Sequence, residues 1–168
     1  MKRLVELFPV GFSAIVVVGL LWGSQGSTAV GTWKLNLAES KYGSVSPPKS
    51  GTRTVEARPD GVSVSYEFVE SDGSVIKYTY DASFDQKDCP ITGSGGPNWR
   101  EGMLGGAETI ALRSFGPNVY AAALKKSGTV VMTTRTVVSK GGKVTTVITN
   151  GADAKGQPTK SVLVWDKQ

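Results

Sequence analysis

The feature that most constrains the fold of this 168-residue chain is a strict alternation of apolar and polar residues. It is clearest in residues 62–68 and 76–84, where Val, Ile, Tyr, Phe and Ala alternate with Ser, Thr, Glu, Asp and Lys. A period of two places successive side chains on opposite faces of an extended strand. These segments are therefore predicted to be β-strands with one buried face and one solvated face.

Short turn signals that contain glycine separate these strands from further runs rich in β-branched residues. The turn signals are residues 59–61, 71–73, 116–118, 126–128, 140–142 and 155–158. The predicted strands are residues 32–36, 52–58, 62–68, 76–84, 88–92, 109–115, 119–125, 129–139, 144–150 and 159–166. No segment after residue 29 shows a helical period. Strands joined in sequence hide their edges by closing, so we expect an all-β fold, an antiparallel up-and-down meander that forms a barrel of about 8–10 strands.

Two predicted connections are longer than hairpin turns. Residues 37–50 contain two prolines and are expected to cross one end of the barrel. Residues 93–106 contain six glycines together with Trp99 and Met103. Two interpretations stand for this glycine-rich loop: a mobile flap whose Trp99 and Met103 cover the barrel mouth, or a flexible insertion without such a role.

The first residues have the layout of a secretory signal. Lys2 and Arg3 precede an apolar run over residues 7–22, and small residues follow it. We predict cleavage after Ala29, with cleavage after Gly26 as the alternative. An uncleaved membrane anchor is a second alternative, because the apolar run is near the lower limit for a span.

The predicted organisation is therefore a signal peptide over residues 1–29 and one β-barrel domain over residues 30–168. An exported protein of this kind is expected in the periplasm or outside the cell. Contact with a membrane is expected only through the N-terminal segment, and only if that segment is not cleaved.

The residues offer little for catalysis. The chain has no histidine, which removes the commonest general base and the commonest metal ligand. Its single cysteine, Cys89, cannot form an internal disulfide and has no recognisable catalytic partner. The carboxylates do not follow the spacing of a calcium loop. We therefore expect that the protein is not an enzyme and that it has no catalytic residues, no metal site and no cofactor.

Charge is distributed unevenly along the chain. Residues 30–106 contain 8 basic and 10 acidic residues, whereas residues 107–168 contain 9 basic and 3 acidic residues. Such asymmetry can favour an anionic partner. The other interpretation is solvated surface charge, because most lysines of the second half lie at turn signals, where charge keeps a β protein soluble. Aromatic and basic residues do not interleave, so we expect no nucleic-acid partner.

Both ends of the predicted domain resemble one superfamily. The segment Gly31-Thr32-Trp33-Lys34-Leu35 resembles the first strand of lipocalins and fatty-acid-binding proteins, the calycins, which carries Gly-x-Trp. At the other end, Val164-Trp165-Asp166-Lys167 resembles the closing strand of fatty-acid-binding proteins. Residues 31–42 as a whole are similar to uncharacterised secreted bacterial proteins described as lipocalin-like. The resemblance implies a barrel with an interior ligand site.

The resemblance also bears on the ligand. Fatty-acid-binding proteins hold a carboxylate with an Arg on the third strand from the end and an Arg-x-Tyr pair on the last strand. Arg135 matches the first position, but Leu163 and Trp165 stand where the pair should be. The helical lid between the first two strands is also missing from the pattern. A more apolar ligand, or no cavity at all, is the expectation that follows.

The candidate ligand site is the barrel interior, with an aromatic and mostly apolar lining. Its predicted residues are Trp33, Tyr66, Phe68, Tyr78, Tyr80, Trp99, Arg135, Leu163 and Trp165. Arg135 is expected to be the lone interior charge, either contacting an anionic or polar ligand end or forming a plug stacked on Trp33 or Trp165. The predicted function is binding or carrying a small apolar ligand. The alternative is an envelope structural or interaction protein with a filled barrel.

The leader generates the first testable prediction. The exported protein is expected to begin at Val30, or at Ser27 if cleavage follows Gly26, because the basic, apolar and small segments follow in the order of a cleaved signal. Intact mass spectrometry of protein from the periplasm or the culture medium checks this. A mature mass that still includes residues 1–25 contradicts it.

Overall fold

A computed structural model of the chain describes residues 28–43, 45–152 and 156–168, and these residues form an all-β fold with one short helix. The predicted fold class is confirmed. The elements are β1 (Gly31–Leu35), β2 (Ser50–Arg58), β3 (Gly61–Val69), β4 (Val75–Ser83), β5 (Cys89–Pro90), β6 (Thr92–Ser94), α1 (Trp99–Leu104), β7 (Thr109–Ser114), β8 (Val119–Lys126), β9 (Thr129–Val138), β10 (Val144–Ala152) and β11 (Pro158–Lys167).

The strands form one antiparallel sheet in the order β5-β7-β8-β9-β10-β11-β1-β2-β3-β4-β6. Chain neighbours are sheet neighbours from β1 to β4 and from β7 to β11, as expected for a meander. The last strand returns to the first, with Leu35 opposite Trp165. The main difference from the prediction is that the single strand expected over residues 88–92 is two short strands, β5 and β6.

These two short strands bring the ends of the sheet together. β5 pairs with β7, where Cys89 lies opposite Ile110, and β6 pairs with β4, where Thr92 lies opposite Thr79. Between them Ile91 is buried, and its backbone N–H donates to the Glu108 carbonyl over 2.8 Å. One continuous segment is therefore hydrogen-bonded to both ends of the sheet and nearly closes the barrel.

The six-residue helix α1 lies in the glycine-rich loop, and it is the one helix of the described residues, as an almost helix-free fold allows. A single turn and a half is too short to show a helical period in the sequence. Gly105 ends the helix in the left-handed conformation, with φ of 60°. The Arg100 guanidinium fixes the loop by donating to the carbonyls of Ala107, over 2.8 Å, and Ile91, over 3.1 Å.

The residues at the start of β1 close one end of the barrel. This is the end where β1 starts and β11 finishes. Trp33 has no exposed surface, and its Nε1–H donates to the Ala29 carbonyl over 2.8 Å. Ala29 is itself buried, and the Thr28 hydroxyl donates to the Pro117 carbonyl over 2.6 Å. Lys167 lies over the indole, with its Nζ 5.3 Å from the ring centroid of Trp33. We call this side the closed end.

The leader predicted over residues 1–29 lies outside the described residues except for Thr28 and Ala29. Across the described ranges, no helix has the length and apolar character needed to cross a membrane.

The closing segment generates a test with a matched control in the same loop. A Cβ at Gly93 would collide with the Lys77 carbonyl oxygen and lie 2.7 Å from the Tyr78 Cβ, whereas a Cβ at Gly96 would meet nothing within 4 Å. We expect Gly93→Ala to lower the free energy of unfolding by about 1–3 kcal/mol, because backbone must shift. Gly96→Ala is expected to change it by less than about 0.5 kcal/mol. Urea unfolding followed by tryptophan fluorescence measures both, and equal effects would contradict the role of Gly93.

Candidate ligand cavity

The barrel encloses a cavity of about 180 Å³. It extends from Ala29 at the closed end to Val45 and Ser46 at the other end. Since Val45 and Ser46 are exposed, the cavity reaches the surface there. We call this opening the mouth. The Gly102–Leu104 part of α1 also lines the cavity, so the glycine-rich loop covers part of it.

Stacked aromatic rings form one wall of the cavity. The inward faces of β3 and β4 place Tyr66 on Tyr78, with 4.6 Å between ring centroids. Trp165 meets this wall edge-on, 5.9 Å from Tyr66 and 5.8 Å from Phe68. The period-two prediction that these side chains share an inward face is confirmed. The wall is suited to contact a flat apolar molecule.

Smaller side chains line strands β8 to β10, which lie across the barrel from β3 and β4 in the strand order. They are Ala122, Thr134, Thr136, Val147 and Thr149, and the larger Tyr120, Leu124 and Met132 line the cavity from β8 and β9 as well.

Six of the nine predicted site residues line the cavity, and they are Tyr66, Phe68, Tyr78, Tyr80, Leu163 and Trp165. Trp33 lies in the closed end, where its indole is packed away from the open space. Trp99 stacks on Tyr78, with 6.1 Å between centroids, and supports the aromatic wall from α1. In the glycine-rich loop, Met103 lines the cavity and Trp99 does not.

The prediction that Arg135 lies inside the barrel is wrong. On β9 the inward residues are Thr134, Thr136 and Val138, so the period of two places Arg135 outside, where it is exposed. The interpretation that Arg135 covers Trp33 fails for the same reason. Lys167 occupies that position.

The interior cation is Arg53 on β2, which the sequence analysis missed. It is only 5% exposed and lines the cavity, and its guanidinium carbon lies 5.7 Å from the Tyr66 ring centroid. The signal was present in the alternation of β2. Val55 faces inward, and a residue two positions earlier on a strand shares that face.

Several polar atoms of the cavity lining are buried without a hydrogen-bond partner in the described structure. They are Nε and Nη1 of Arg53, Nε1 of Trp165, the Tyr42 hydroxyl and Oε1 of Glu70. Buried polar atoms are usually satisfied, and an unsatisfied one costs about 1–3 kcal/mol. The lining side chains therefore carry N–H donors that no group of the described chain engages.

Burial changes the protonation of groups in the cavity. It raises the pKa of the Tyr78 and Tyr80 hydroxyls well above the ordinary range, and the neighbouring Tyr66 adds to both shifts. These tyrosines are therefore neutral at physiological pH. Burial also raises the pKa of the Glu70 carboxyl, and the nearby Asp72 carboxylate contributes. Apart from Arg53, the deep interior is uncharged.

The described residues contain no group of three or more acidic, Cys or His side chains that could hold a metal ion. The free thiol of Cys89 lies in β5, at the closing segment, and does not line the cavity. What the site offers is an apolar aromatic surface with a few N–H donors. That combination suits binding and orientation of a guest.

Glu70 at the cavity rim generates a pH prediction. Its folded-state pKa is raised, so its contribution favours the fold at low pH and is lost as the pH rises through that pKa. We expect Glu70→Gln to be more stable than the parent at pH 7, with the difference disappearing below about pH 4. Urea unfolding at both pH values measures this, with Glu56→Gln on the exposed face of β2 as the control. A loss of stability at pH 7 in Glu70→Gln alone would contradict it.

Comparison with known proteins adds no functional assignment to this geometry. No known family matches the chain, and no curated protein is significantly similar to it in sequence. The antiparallel barrel is therefore supported by the structure alone. The kinship with calycins that the end strands suggest stays a proposal.

Proposed function

We propose that this protein binds a small apolar ligand inside its barrel, as a carrier or receptor outside the cytoplasm, and catalyses no reaction. The observation that carries the proposal is the cavity itself, an aromatic-walled space that reaches the surface at the mouth. The proposal of export depends on the predicted leader. Kinship with lipocalin-like secreted proteins belongs to the same proposal.

The size of the cavity limits the ligand. An apolar cavity of about 150 Å³ accommodates benzene, whereas sites for drug-sized molecules begin near about 300 Å³. A volume of about 180 Å³ therefore suits one ring or a short chain. The stacked faces of Tyr66 and Tyr78 favour a flat guest.

The competing proposal is a structural or interaction protein of the cell envelope whose barrel needs no guest. The packed closed end and the modest cavity volume would serve that role equally well. The two proposals differ in one observable, which is occupancy of the interior.

A substitution that narrows the cavity tests the leading proposal. Leu163 lines the cavity from β11, so Leu163→Trp places extra indole volume where the guest would lie. Benzyl alcohol serves as the probe because it is small, aromatic and uncharged. We expect the parent protein to bind it and Leu163→Trp to bind it about tenfold or more weakly, a change of about 1.4 kcal/mol. Isothermal titration calorimetry gives both affinities.

Val130→Trp is the matched control, because Val130 is exposed on β9 and lies outside the cavity. It adds the same side chain without narrowing the interior and should leave the affinity unchanged. Native mass spectrometry of the purified protein supplies a second readout, a small molecule that co-purifies with the parent. If the parent protein binds no benzyl alcohol and carries no co-purified guest, the structural role is favoured.

A further inference from the structure

Arg53 is a buried cation without a counterion. Its side chain is 5% exposed, and its Nε and Nη1 atoms have no hydrogen-bond partner. No carboxylate of the described ranges lies within 4 Å of it. An arginine stays protonated in a protein, so it cannot escape this cost by losing its proton. An unpaired charge in such a place destabilises the fold unless something neutralises it.

The groups around Arg53 do not neutralise it. The nearest ring is Tyr66, and the other phenols on that wall, Tyr78 and Tyr80, are kept neutral by burial. The remaining charged side chains of the lining are Glu70 and Lys160, of opposite sign, both at the mouth. A cation–π contact with Tyr66 is weaker than the cost of a fully buried charge.

A further unpaired donor belongs to Trp165, which lines the same cavity. The Trp165 Nε1–H is buried, faces no acceptor of the described chain, and its ring lies 5.9 Å from the same Tyr66 ring that Arg53 contacts. Arg53 and Trp165 both line the cavity, so two guanidinium N–H groups and an indole N–H without acceptors belong to side chains of the same lining. Hydrogen bonds from donors of this kind stabilise an oxygen that carries negative charge.

We propose that the natural ligand is a small monocarboxylate whose head group is held by Arg53 and the Trp165 Nε1–H, with its apolar body against the Tyr66 and Tyr78 rings. This inference rests on the proposed function and names the chemistry of its ligand. A carboxylate matches the planar fork of one guanidinium. A dianion such as a phosphate monoester would leave one charge unpaired, because the deep lining holds a single cation.

The experiment compares benzoate with benzyl alcohol, two probes that share a ring and differ in charge. Calorimetric titrations use the parent protein, Arg53→Met, and the control Arg135→Met, which removes an arginine exposed on the outer face of β9. We expect the parent and Arg135→Met to bind benzoate about tenfold or more tightly than benzyl alcohol. In Arg53→Met this preference should disappear, while the affinity for benzyl alcohol stays the same or rises.

Stability without ligand gives a second readout. If Arg53 is a site for a guest, Arg53→Met removes an uncompensated charge and should unfold at an equal or higher urea concentration than the parent. Benzoate should then raise the midpoint for the parent and for Arg135→Met, and not for Arg53→Met.

The outcomes separate the two proposals. Equal affinity of the parent for benzoate and benzyl alcohol overturns the anion site and leaves the apolar cavity in place. A large loss of stability in Arg53→Met without any benzoate preference in the parent also overturns it, because Arg53 is then structural. Failure of the parent to bind either probe overturns the proposed function itself.

Discussion

The constraint on which this structure depends is closure of the sheet. An open antiparallel sheet leaves unpaired N–H and C=O groups along two edges, and this chain joins them with one short segment that pairs with β7 through β5 and with β4 through β6. Ile91, between the two strands, is buried in the interior that closure creates. Every inward side chain then faces a common space, so the shape of that space follows from the inward residue of each strand.

The interior combines two features that oppose each other energetically. The aromatic rings of β3 and β4 give the cavity an apolar wall, which favours burial of an apolar guest. Arg53 places a charge in the same space, which disfavours burial unless an anion or water meets it. An apolar residue at position 53 would avoid this cost. Arg53 is therefore the residue on which the proposed binding role can be tested most directly.

Much of the fold could be predicted because strands and turns depend on local features of the sequence, namely the alternation of apolar and polar residues and the turn residues between them. The inward placement of Tyr66 and Phe68 follows from the same period. Arg135 was misplaced because a resemblance to another barrel decided its face, although neighbours such as Thr136 on the same strand define the phase. Arg53 was missed because a charged residue in a short alternating run is normally expected to face solvent. Its inward placement becomes clear only once Val55, on the same face of β2, is known to be buried. The cavity volume depends on packing across the barrel, which no local pattern contains.

The contact between the Trp33 indole and the Ala29 carbonyl bears on the proposed removal of the leader. Ala29 is 3% exposed and Thr28 is hydrogen-bonded to Pro117, so both residues belong to the folded barrel. If the predicted leader is removed before Ser27, the chain keeps this contact, whereas removal before Val30 would take away the acceptor of the Trp33 indole N–H. On the proposed export of this chain, the cleavage site would therefore decide whether the closed end of the barrel stays sealed.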